Sequence, residues 1–396
     1  MQLVAYGAQD IYLTGNPQIT FFKIVYRRHT NFAMESIQQP FDGKIDYDKH
    51  LSCTVARNGD LIHRVYLEVN FDNLLSEDGT EDSNVLDSNI IPADCIEEIV
   101  KNNAFSLIDR LELEIGGQLI DRQYGDWMNI WCELTHSASK SEQLRKLVSL
   151  SNSDTNRVHI PFQFSFCRNP GLSIPLIALQ YHEVKFNIKM AKFEDIWGSG
   201  TNKDDVGKIK NGCVWIDYIY LDTEERRRFA QTSHEYLIEQ LQSNRGNCTK
   251  SKMKVKLNFN HPVKELFWVH DSSDCAGFDY RDETKNGLLS LNGHDRFAKR
   301  VGDYFKNVQR YQHHTGSRKI SSRSGDEMSP IYMYSFGLNP EEHQPSGTCN
   351  FSRIDNAVLE LDCELTAGKS TVTNIYGVNY NVLRIMSGMG GLAYSN

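Results

Sequence analysis

The sequence has no long apolar run. No stretch approaches the ~20 apolar residues that a helix needs to cross a bilayer. The first thirty residues contain Asp10, Asn16 and Pro17 and no apolar segment of signal-peptide length. We therefore expect a chain that does not span a membrane and is not secreted by the signal-peptide route.

Cysteines at metal or redox spacing are also lacking. The 396 residues contain nine scattered cysteines, and no two of them have the C-x-x-C spacing of a zinc or redox site. An odd number of scattered cysteines is typical of reduced, mostly buried thiols. The sequence therefore predicts assembly in a reducing compartment.

The chain has no basic surplus. It contains 43 Lys and Arg against 51 Asp and Glu, a net charge of -8. Because a protein that neutralises many phosphates normally carries excess Lys and Arg, we expect no specific nucleic-acid binding. The stretch 299–323 is locally basic and contains aromatic residues. Since much of it alternates as a strand would, we interpret it as a solvated or intersubunit face.

Catalytic and phosphate-binding motifs are missing as well. The segment Ala367–Ser370 looks like part of a phosphate-binding loop, but the motif needs a glycine at the position of Cys363. There is no G-x-S-x-G elbow and no recognisable set of nucleophile, base and orienting residue. We expect neither an enzyme nor a cofactor.

The histidines form no strong metal motif. His313 and His314 are adjacent, with Glu341, Glu342 and His343 as distant helpers. A cupin-type metal enzyme would need His-x-His and a following Glu, and neighbouring residues on a strand point to opposite faces. We predict a loop or interface position for the histidines and no metal site.

The sequence does contain an internal repeat. Four landmarks occur twice in the same order: a strand-like run that ends at a turn pair, an Asp-aromatic pair, alternating aromatics before Asn-Pro, and a further strand. They lie first at 111–117, 126–127, 162–170 and 184–188, and again at 288–293, 303–304, 332–340 and 358–361. The last three landmarks are offset by 177, 170 and 174 residues. Such a repeat predicts a duplicated domain.

Short strands dominate both halves. About eight strand-like runs per half, separated by Asn, Gly and Pro, predict an all-β fold of two consecutive eight-stranded antiparallel jelly-roll domains, with short helices in loops and linker. The predicted divisions are an N-terminal arm at 1–28, a first jelly roll at 29–222, a helical linker at 223–242, and a second jelly roll at 243–396 with a short flexible C-terminal tail.

Several local elements are predicted with these divisions. Gln18–Tyr26 has the pattern of a first strand, and Val301–Tyr311 that of a strand in the second half. Ser141–Leu150 and Thr223–Gln242 have helical spacing, the latter with two acidic residues in its first turn. The stretch 72–98 contains nine acidic residues and no Lys or Arg, which predicts an exposed loop.

A carbohydrate-binding jelly-roll module is the main alternative to a structural role. It would need exposed aromatic residues, for which Trp197 and Trp215 are candidates. Trp127 and Trp131 lie four residues apart beside Asp126 and are predicted to belong to the core. A cupin-like metal enzyme is disfavoured by the missing ligand spacing. Fold alone cannot separate these functions.

Two asparagines match the N-glycosylation pattern, Asn247 and Asn350. Such triplets occur often by chance, and no signal peptide accompanies them. We name both as candidate positions for modification.

Long segments of the chain resemble one protein family. They are the opening 3–28, the run 111–127 with its glycine pair, the tract 340–356 and the ending 379–394. In content and order these segments are similar to the major capsid proteins of large icosahedral double-stranded DNA viruses of the phycodnavirus and mimivirus kind. The resemblance extends from one end of the chain to the other.

The resemblance implies a set of structural positions in the family motifs. They are Gly7, Asp10, Gly15, Asn16, Pro17, Gly116, Gly117, Gly125, Trp127, Pro340, Glu341, Glu342, His343, Pro345, Ser352, Arg353 and Asp355.

The resemblance also implies how the chain assembles. Three chains would form a homotrimer, a pseudo-hexagonal capsomer that contacts neighbouring capsomers and minor capsid and penton proteins. The arm would lie on the inner side, near minor capsid proteins and the inner viral membrane, and long loops such as 72–98 would face outward. The chain departs from the family there and at the insertion 316–330. The location implied is the virion, after assembly in the host cytoplasm.

Overall fold

A computed structural model describes residues 7–72, 74, 103–150, 156–198, 206–248, 251–272, 277–316, 328–364 and 371–395. Most of the acidic stretch 72–98, the segment 367–370 and most of the insertion 316–330 lie outside the described residues.

The described part of the first half contains nine strands. They are β1 Phe32–Gln39, β2 His50–Thr54, β3 Leu61–Phe71, β4 Ile108–Ile115, β5 Gln118–Gln123, β6 Arg157–Pro161, β7 Ile174–Pro175, β8 Val184–Met190 and β9 Ile209–Leu221. Two antiparallel sheets result, with the orders β1-β9-β3-β6 and β2-β8-β4-β5, and the short β7 pairs with β3. Alternate residues of β8 are buried between the sheets, as the two-residue period of a strand requires.

The second half contains twelve strands in its described part. They are β10 His234–Cys248, β11 Lys252–Lys256, β12 Pro262–Ser272, β13 Tyr280–Arg281, β14 Thr284–Leu291, β15 His294–Asp295, β16 Arg300–Val301, β17 Tyr332–Ser335, β18 Cys349–Asn350, β19 Ala357–Cys363, β20 Thr371–Met386 and β21 Met389–Leu392. One sheet has the order β10-β20-β12, with β17 on the far side of β12, and the other has the order β11-β19-β14-β15.

Within the residues that the structure describes, helices are few and short. They are α1 Ile11–Thr14, α2 Gly125–Thr135, α3 Ala138–Val148, α4 Ser165–Arg168, α5 Phe193–Trp197, α6 Thr223–Gln231 and α7 Gln309–His313, which continues from a π-helical turn at Tyr304–Val308. Single 3-10 turns lie at Ala8–Asp10, Ala104–Leu107, Pro170–Leu172, Leu176–Ala178 and Phe351–Arg353. The predicted helix Ser141–Leu150 corresponds to α3.

The two halves repeat one topology. Strands β10, β20, β12 and β17 occupy the places of β1, β9, β3 and β6, and strands β11, β19, β14 and β15 those of β2, β8, β4 and β5. Each half therefore contains two sets of four corresponding strands in jelly-roll order, to which short strands such as β7 and β21 are added. The predicted double jelly roll and duplication are confirmed.

The first repeat landmark is a matching pair of tight turns. Gly116 and Gly117 join β4 to β5 at φ 58° and 82°, while Asn292 and Gly293 join β14 to β15 at φ 52° and 79°. Two successive residues at positive φ are typical of a type I′ hairpin. The aromatic landmark matches less well, because Phe162–Phe166 leads into α4 whereas Tyr332–Ser335 is strand β17.

The predicted helix over 223–242 is wrong beyond Gln231. Strand β10 begins at His234, and its backbone pairs with β20 from His234↔Ile385 to Cys248↔Thr371. The apolar residues that suggested a helical face belong to a strand that packs on both the first half and β20. The helical linker is thus nine residues long.

Two predicted strands are also absent where they were expected. Residues 18–26 contain no strand and are exposed, and no strand of the described ranges pairs with them. Of Val301–Tyr311 only Val301 belongs to a strand, the short β16, and helix follows from Tyr304. Phe305, Gln309 and Arg310 are the buried positions of that helical segment, and the spacing of four between Phe305 and Gln309 suits a helix face.

Three apolar clusters hold the molecule together. The first fills the first jelly roll and includes Phe162, Phe164 and Phe186. The second fills the second jelly roll around Trp268. The third lies between the halves, where Trp127 and neighbours from α2 pack on the outer face of the β10-β20-β12 sheet.

Candidate assembly surfaces

The contact between the two halves, here called the seam, has an aromatic centre. The Trp127 ring lies 5.2 Å from that of Phe267 and 5.4 Å from that of Tyr376, measured between centroids. Trp127 is 3% exposed and Trp131 4%. Both were predicted as core residues, and the structure confirms this while placing them in the contact between the two jelly rolls.

Asp126 fixes the start of α2 to the second half. Its carboxylate accepts hydrogen bonds from the Tyr376 hydroxyl and from the Asn374 amide, at 3.0 Å for the latter. Burial raises the pKa of Asp126, and the hydrogen bond from Tyr376 opposes that rise. The side chain thus orients α2 against strand β20.

A buried ion-pair network crosses the seam beside the tryptophans. The Lys264 ammonium lies 2.7 Å from the Glu239 carboxylate and donates to the Pro340 carbonyl at 2.7 Å. Arg168 of the first half pairs with Glu239 at 3.1 Å and lies 4.4 Å above the Trp131 ring. Burial opposes the charge of Glu239, but these two cations hold its pKa below the ordinary value.

A histidine with two carboxylate partners lies next to this network. The two ring nitrogens of His314 are each 2.9 Å from a carboxylate oxygen, one of Glu265 and one of Glu341. Burial opposes the charge on His314, but Glu265 and Glu341 outweigh it and raise the pKa of the imidazole to about 9. His314 is therefore a cation at neutral pH and bridges β12 to the loop after β17.

A second pair joins α2 to α7. Arg310 lies 3.4 Å from Glu133, and both side chains are buried. Glu133 also accepts from the Ser329 backbone amide at 2.8 Å. A seam tied by aromatic packing and by several buried charges predicts two halves that move as one body.

The N-terminal arm is the opposite kind of surface. Of residues 7–31 all but Asp10 are exposed, and the apolar side chains among them are 69–98% exposed: Ile11, Tyr12, Leu13, Ile19, Phe21, Phe22, Ile24, Val25 and Tyr26. An apolar surface of this extent is typical of a site that another molecule covers.

The two halves match two models of one protein family. Residues 20–222 match the model described as "Major capsid protein N-terminus", and residues 225–391 match the model described as "Large eukaryotic DNA virus major capsid protein". The chain belongs to this family of viral major capsid proteins. As a member of the family, this capsid protein is a structural component of the capsid of a large double-stranded DNA virus.

Individual relatives agree over the whole length. The capsid protein is 48% identical to the major capsid protein of Pyramimonas orientalis virus, over 100% of this chain and 99% of the relative. It is 40% identical to the major capsid protein of Paramecium bursaria Chlorella virus 1, with the same coverage.

Solved structures agree as well. The crystal structure of PBCV-1 VP54 superposes with a TM-score of 0.76 at 35% identity, over 95% of this chain and 100% of that chain. The Faustovirus major capsid protein has a TM-score of 0.66 at 10% identity, covering 96% of this chain and 94% of that chain, a likeness of fold alone.

Four of the expected motif positions lie at the seam. Gly125 and Trp127 start α2, the Pro340 carbonyl accepts from Lys264, and Glu341 pairs with His314. His343 lines a cavity of about 180 Å³ beside them. The capsid protein therefore brings together residues that are more than two hundred positions apart in sequence.

The remaining motif positions are distributed elsewhere. In the arm, the Gly7 amide donates to the Asp10 carboxylate at 2.6 Å, and Gly15, Asn16 and Pro17 end α1 in solvent. Gly116 and Gly117 form the β4–β5 turn described above. The Ser352 hydroxyl accepts from the His261 amide at 2.7 Å. The side chains of Glu342, Pro345, Arg353 and Asp355 are exposed and lie outside the seam.

The tryptophans proposed for carbohydrate binding do not form an exposed aromatic site. Trp197 is fully buried, and its indole donates to the Tyr47 hydroxyl at 2.9 Å. Trp215 is half-buried and donates to Glu68 at 2.7 Å. The prediction of exposed Trp197 is wrong because α5 turns its apolar side into the first core.

Two further expectations concern small sites. The Asn350 side chain is exposed and accepts from the Ser352 amide at 3.0 Å, while Asn247 pairs with Val372 in the sheet. Across the described ranges, the residues form no cluster of three or more His, Cys, Asp or Glu with metal-binding geometry. In the same ranges, no helix is long and apolar enough to cross a membrane.

Sequence reasoning did not find the charged residues of the seam. Lys264, Glu239, Glu133 and Arg310 are all buried, yet single charged residues within strands and helices normally lie in solvent. The one usable signal was Lys264 beside Glu265 in the otherwise apolar run Val263–Val269. Because adjacent strand residues point to opposite faces, a charge pair in such a run indicates that at least one charge is buried.

Proposed function

We propose that this capsid protein forms a homotrimer whose six jelly rolls make a pseudo-hexagonal capsomer, and that such capsomers tile an icosahedral shell. The observation that supports the proposal is the repeat itself. Each chain supplies two jelly rolls of one sheet topology, so three chains around a three-fold axis supply six similar corners. Lateral contacts between capsomers, each weak, then act together across the shell.

The seam suits this role mechanically. A capsomer keeps its hexagonal shape only if the two jelly rolls of each chain keep a fixed relative orientation. The aromatic centre at Trp127 and the buried charges at Glu239 and His314 supply that constraint. No step of this function needs a cofactor or a turnover, and we propose a purely structural role.

We propose that the arm lies on the inner side of the capsomer. Its exposed apolar side chains need a cover, and Lys23, Arg27 and Arg28 outnumber Asp10, the one acidic residue of 1–28. Minor capsid and penton proteins, and the surface of an inner viral membrane, are the partners that such a mixed apolar and basic segment fits. Assembly in the host cytoplasm would keep the cysteines reduced.

Sedimentation velocity of the purified full-length chain tests the trimer. We expect a single species of about three times the 45.4 kDa chain mass across a range of protein concentrations. A species that stays at the chain mass at all concentrations would contradict the proposal. Parallel runs at raised salt separate specific association from loose electrostatic clustering, because only the latter dissolves with screening.

A further inference from the structure

Each side of the seam has a repeat-related counterpart that is open to solvent. The seam joins α2 of the first half to the outer face of the β10-β20-β12 sheet in the second half. The counterpart of α2 is the helical segment 304–313, and the counterpart of that sheet face is the outer face of β1-β9-β3. Within one chain, α2 and the β10-β20-β12 face cover each other. In the described ranges, the helical segment 304–313 and the β1-β9-β3 face have no such cover from the other half.

The helical counterparts match residue by residue. Gly125 and Gly302 stand 177 positions apart, and a Cβ on either would lie about 2 Å from a backbone oxygen, that of Phe105 for Gly125 and of Thr284 for Gly302. At the same offset, Met128 and Phe305 are both fully buried in the core of their own half. The offset therefore assigns Tyr304 as the counterpart of Trp127.

The helix surface is defined here as Val301, Tyr304, Val308 and Tyr311. Val301 is 61% exposed, Val308 42% and Tyr311 89%, and Tyr304 is half-buried. These residues border a concavity of about 790 Å³ that includes Val301, Tyr304 and Val308. At the offset of 177, Val308 and Tyr311 correspond to Trp131 and Leu134, which are buried in the seam.

The sheet counterparts match by strand register. In the second half Phe267 of β12 pairs with Tyr376 of β20, and both face α2. In the first half Tyr66 of β3 pairs with Trp215 of β9. In each case the neighbouring residue of the inner strand points into the core, Trp268 in one half and Leu67 in the other. Tyr66 and Trp215 are thus the counterparts of the two rings that grip Trp127.

The sheet surface is defined here as Tyr66, Glu68, Trp215 and Asp217. The Tyr66 and Trp215 rings stack with centroids 6.5 Å apart, and both are half-buried. The Trp215 indole donates to Glu68 at 2.7 Å, which fixes the position of the ring. An aromatic pair held in place on an outer sheet face is the composition typical of an interface centre.

We propose that the helix surface of one chain docks on the sheet surface of a second copy of the same chain, in the geometry that the seam has within the chain. Tyr304 would then lie against Tyr66 and Trp215 of the second copy. This inference rests on the proposed homotrimer and assigns its subunit contact. Repeating the contact three times closes a ring of six jelly rolls in which inter-chain and intra-chain contacts alternate.

Charge favours a second copy as the occupant. The Arg300 guanidinium lies 4.4 Å above the Tyr304 ring of the helix surface, whereas Lys299 and Lys306 are each paired with an aspartate of their own chain. On the sheet surface Glu68 is paired with Arg157, and Asp217 is the other acidic residue. A contact between Arg300 of one copy and Asp217 of the other would give the encounter a defined orientation. This also agrees with the interpretation of the basic stretch 299–323 as an intersubunit face.

Thiol cross-linking of the full-length chain tests the contact. The double variant Tyr66→Cys with Tyr304→Cys mimics the pair Phe267 and Trp127, and treatment with a short bis-maleimide should convert the chain into covalent dimers and trimers on a denaturing gel. A second double variant, Tyr66→Cys with Val308→Cys, repeats the test with less disturbance of the helix. The parent chain, treated in parallel, reports any background from the native cysteines.

A control variant separates proximity from general reactivity. Tyr66→Cys with Tyr181→Cys carries a thiol at a position that is 76% exposed and outside both surfaces, and it should remain a single-chain band. A sample that sediments as a trimer but gives no covalent trimer in either test variant would overturn the inferred contact and leave the homotrimer standing. A sample that sediments as a monomer would overturn both.

Discussion

The His314 imidazole lies 2.9 Å from a carboxylate oxygen of Glu265, and neither side chain is exposed to solvent. His314 follows α7 and Glu265 lies in the middle of β12, so the pair fixes a helix end to a central strand. The His314 ring also meets the Trp131 ring edge-on, with centroids 6.4 Å apart. The pair is therefore part of the seam between the two jelly rolls.

Removal of the histidine should be costly. In His314→Ala the carboxylate of Glu265 would be left buried without its cation, and breaking a buried pair in this way costs about 3–5 kcal/mol. We expect a loss of that size in the free energy of unfolding, measured by urea denaturation. The neighbouring variant His313→Ala is the control, since His313 is partly exposed and contacts the Leu338 carbonyl at 3.0 Å. Equal losses in the two variants would contradict the role given to His314.

The same histidine predicts a pH dependence with a defined sign. Its pKa is raised to about 9 in the fold, against about 6.5 in an unfolded chain. The stabilisation is therefore fully present below about pH 6.5 and is lost as the pH rises through about 9. The difference in unfolding free energy between the parent and His314→Gln should shrink across this window by on the order of 3 kcal/mol. A difference that is constant with pH would contradict a charged His314.

Trp127 is expected to be the main apolar contributor to the seam. Truncation in Trp127→Ala removes contacts to Phe267 and Tyr376, and large aromatic truncations in a core cost about 3–5 kcal/mol. Because the loss falls between the halves, we also expect calorimetry to resolve two transitions in place of one. Tyr181→Ala is the control, because its ring is 76% exposed and lies outside the seam and outside both proposed docking surfaces. The account fails if Tyr181→Ala lowers the free energy of unfolding as much as Trp127→Ala does.

The paired glycines before the two helices should respond alike. A Cβ at Gly125 would lie 2.1 Å from the Phe105 oxygen, and one at Gly302 would lie 1.9 Å from the Thr284 oxygen. Backbone oxygens cannot rotate aside, so each Gly→Ala change should cost about 1–3 kcal/mol. In Gly246→Ala the nearest atom is a Val255 methyl at 3.1 Å, and we expect a clearly smaller loss. Thermal unfolding of the three variants makes the comparison.

The arm should be protected only in assembled particles. Lys23, Arg27 and Arg28 are exposed in the single chain, so trypsin should remove the arm from free protein within the first minutes of digestion. In particles we expect the same sites to resist, because the inner partners cover them. Cleavage of both samples at one rate would contradict the proposed inner position. Mass spectrometry of the N-terminal fragments gives the readout.

The repeat was predictable because its marks are local. The tight turns at Gly116-Gly117 and Asn292-Gly293 need positive φ at both positions. Glycine and asparagine adopt positive φ readily, so such turns can be found from the sequence. The offset is not uniform along the chain, however. Phe32 and His234, which begin β1 and β10, are 202 residues apart, whereas Val184 and Ala357, which begin β8 and β19, are 173 apart. The longer β3–β4 connection of the first half, with its acidic stretch, accounts for most of this change.

The errors have a common cause in tertiary contacts. Residues 234–242 contain apolar residues at spacings that suit a helix and a strand alike, and pairing with β20 decides for the strand. At 304–313 the packing of Phe305 into the second core decides for a helix. Local propensity is too weak to resist such contacts. The seam charges were missed for the same reason, since only the fold brings Arg168 to Glu239.

The most direct test of the central claim is to measure the mass of the purified full-length chain by light scattering and to image the same sample. Two jelly rolls per chain and three chains predict a particle of about three times 45.4 kDa with a hexagonal outline and three-fold symmetry in averaged images. A stable particle of the single-chain mass, or an assembly with two-fold symmetry, would contradict the account.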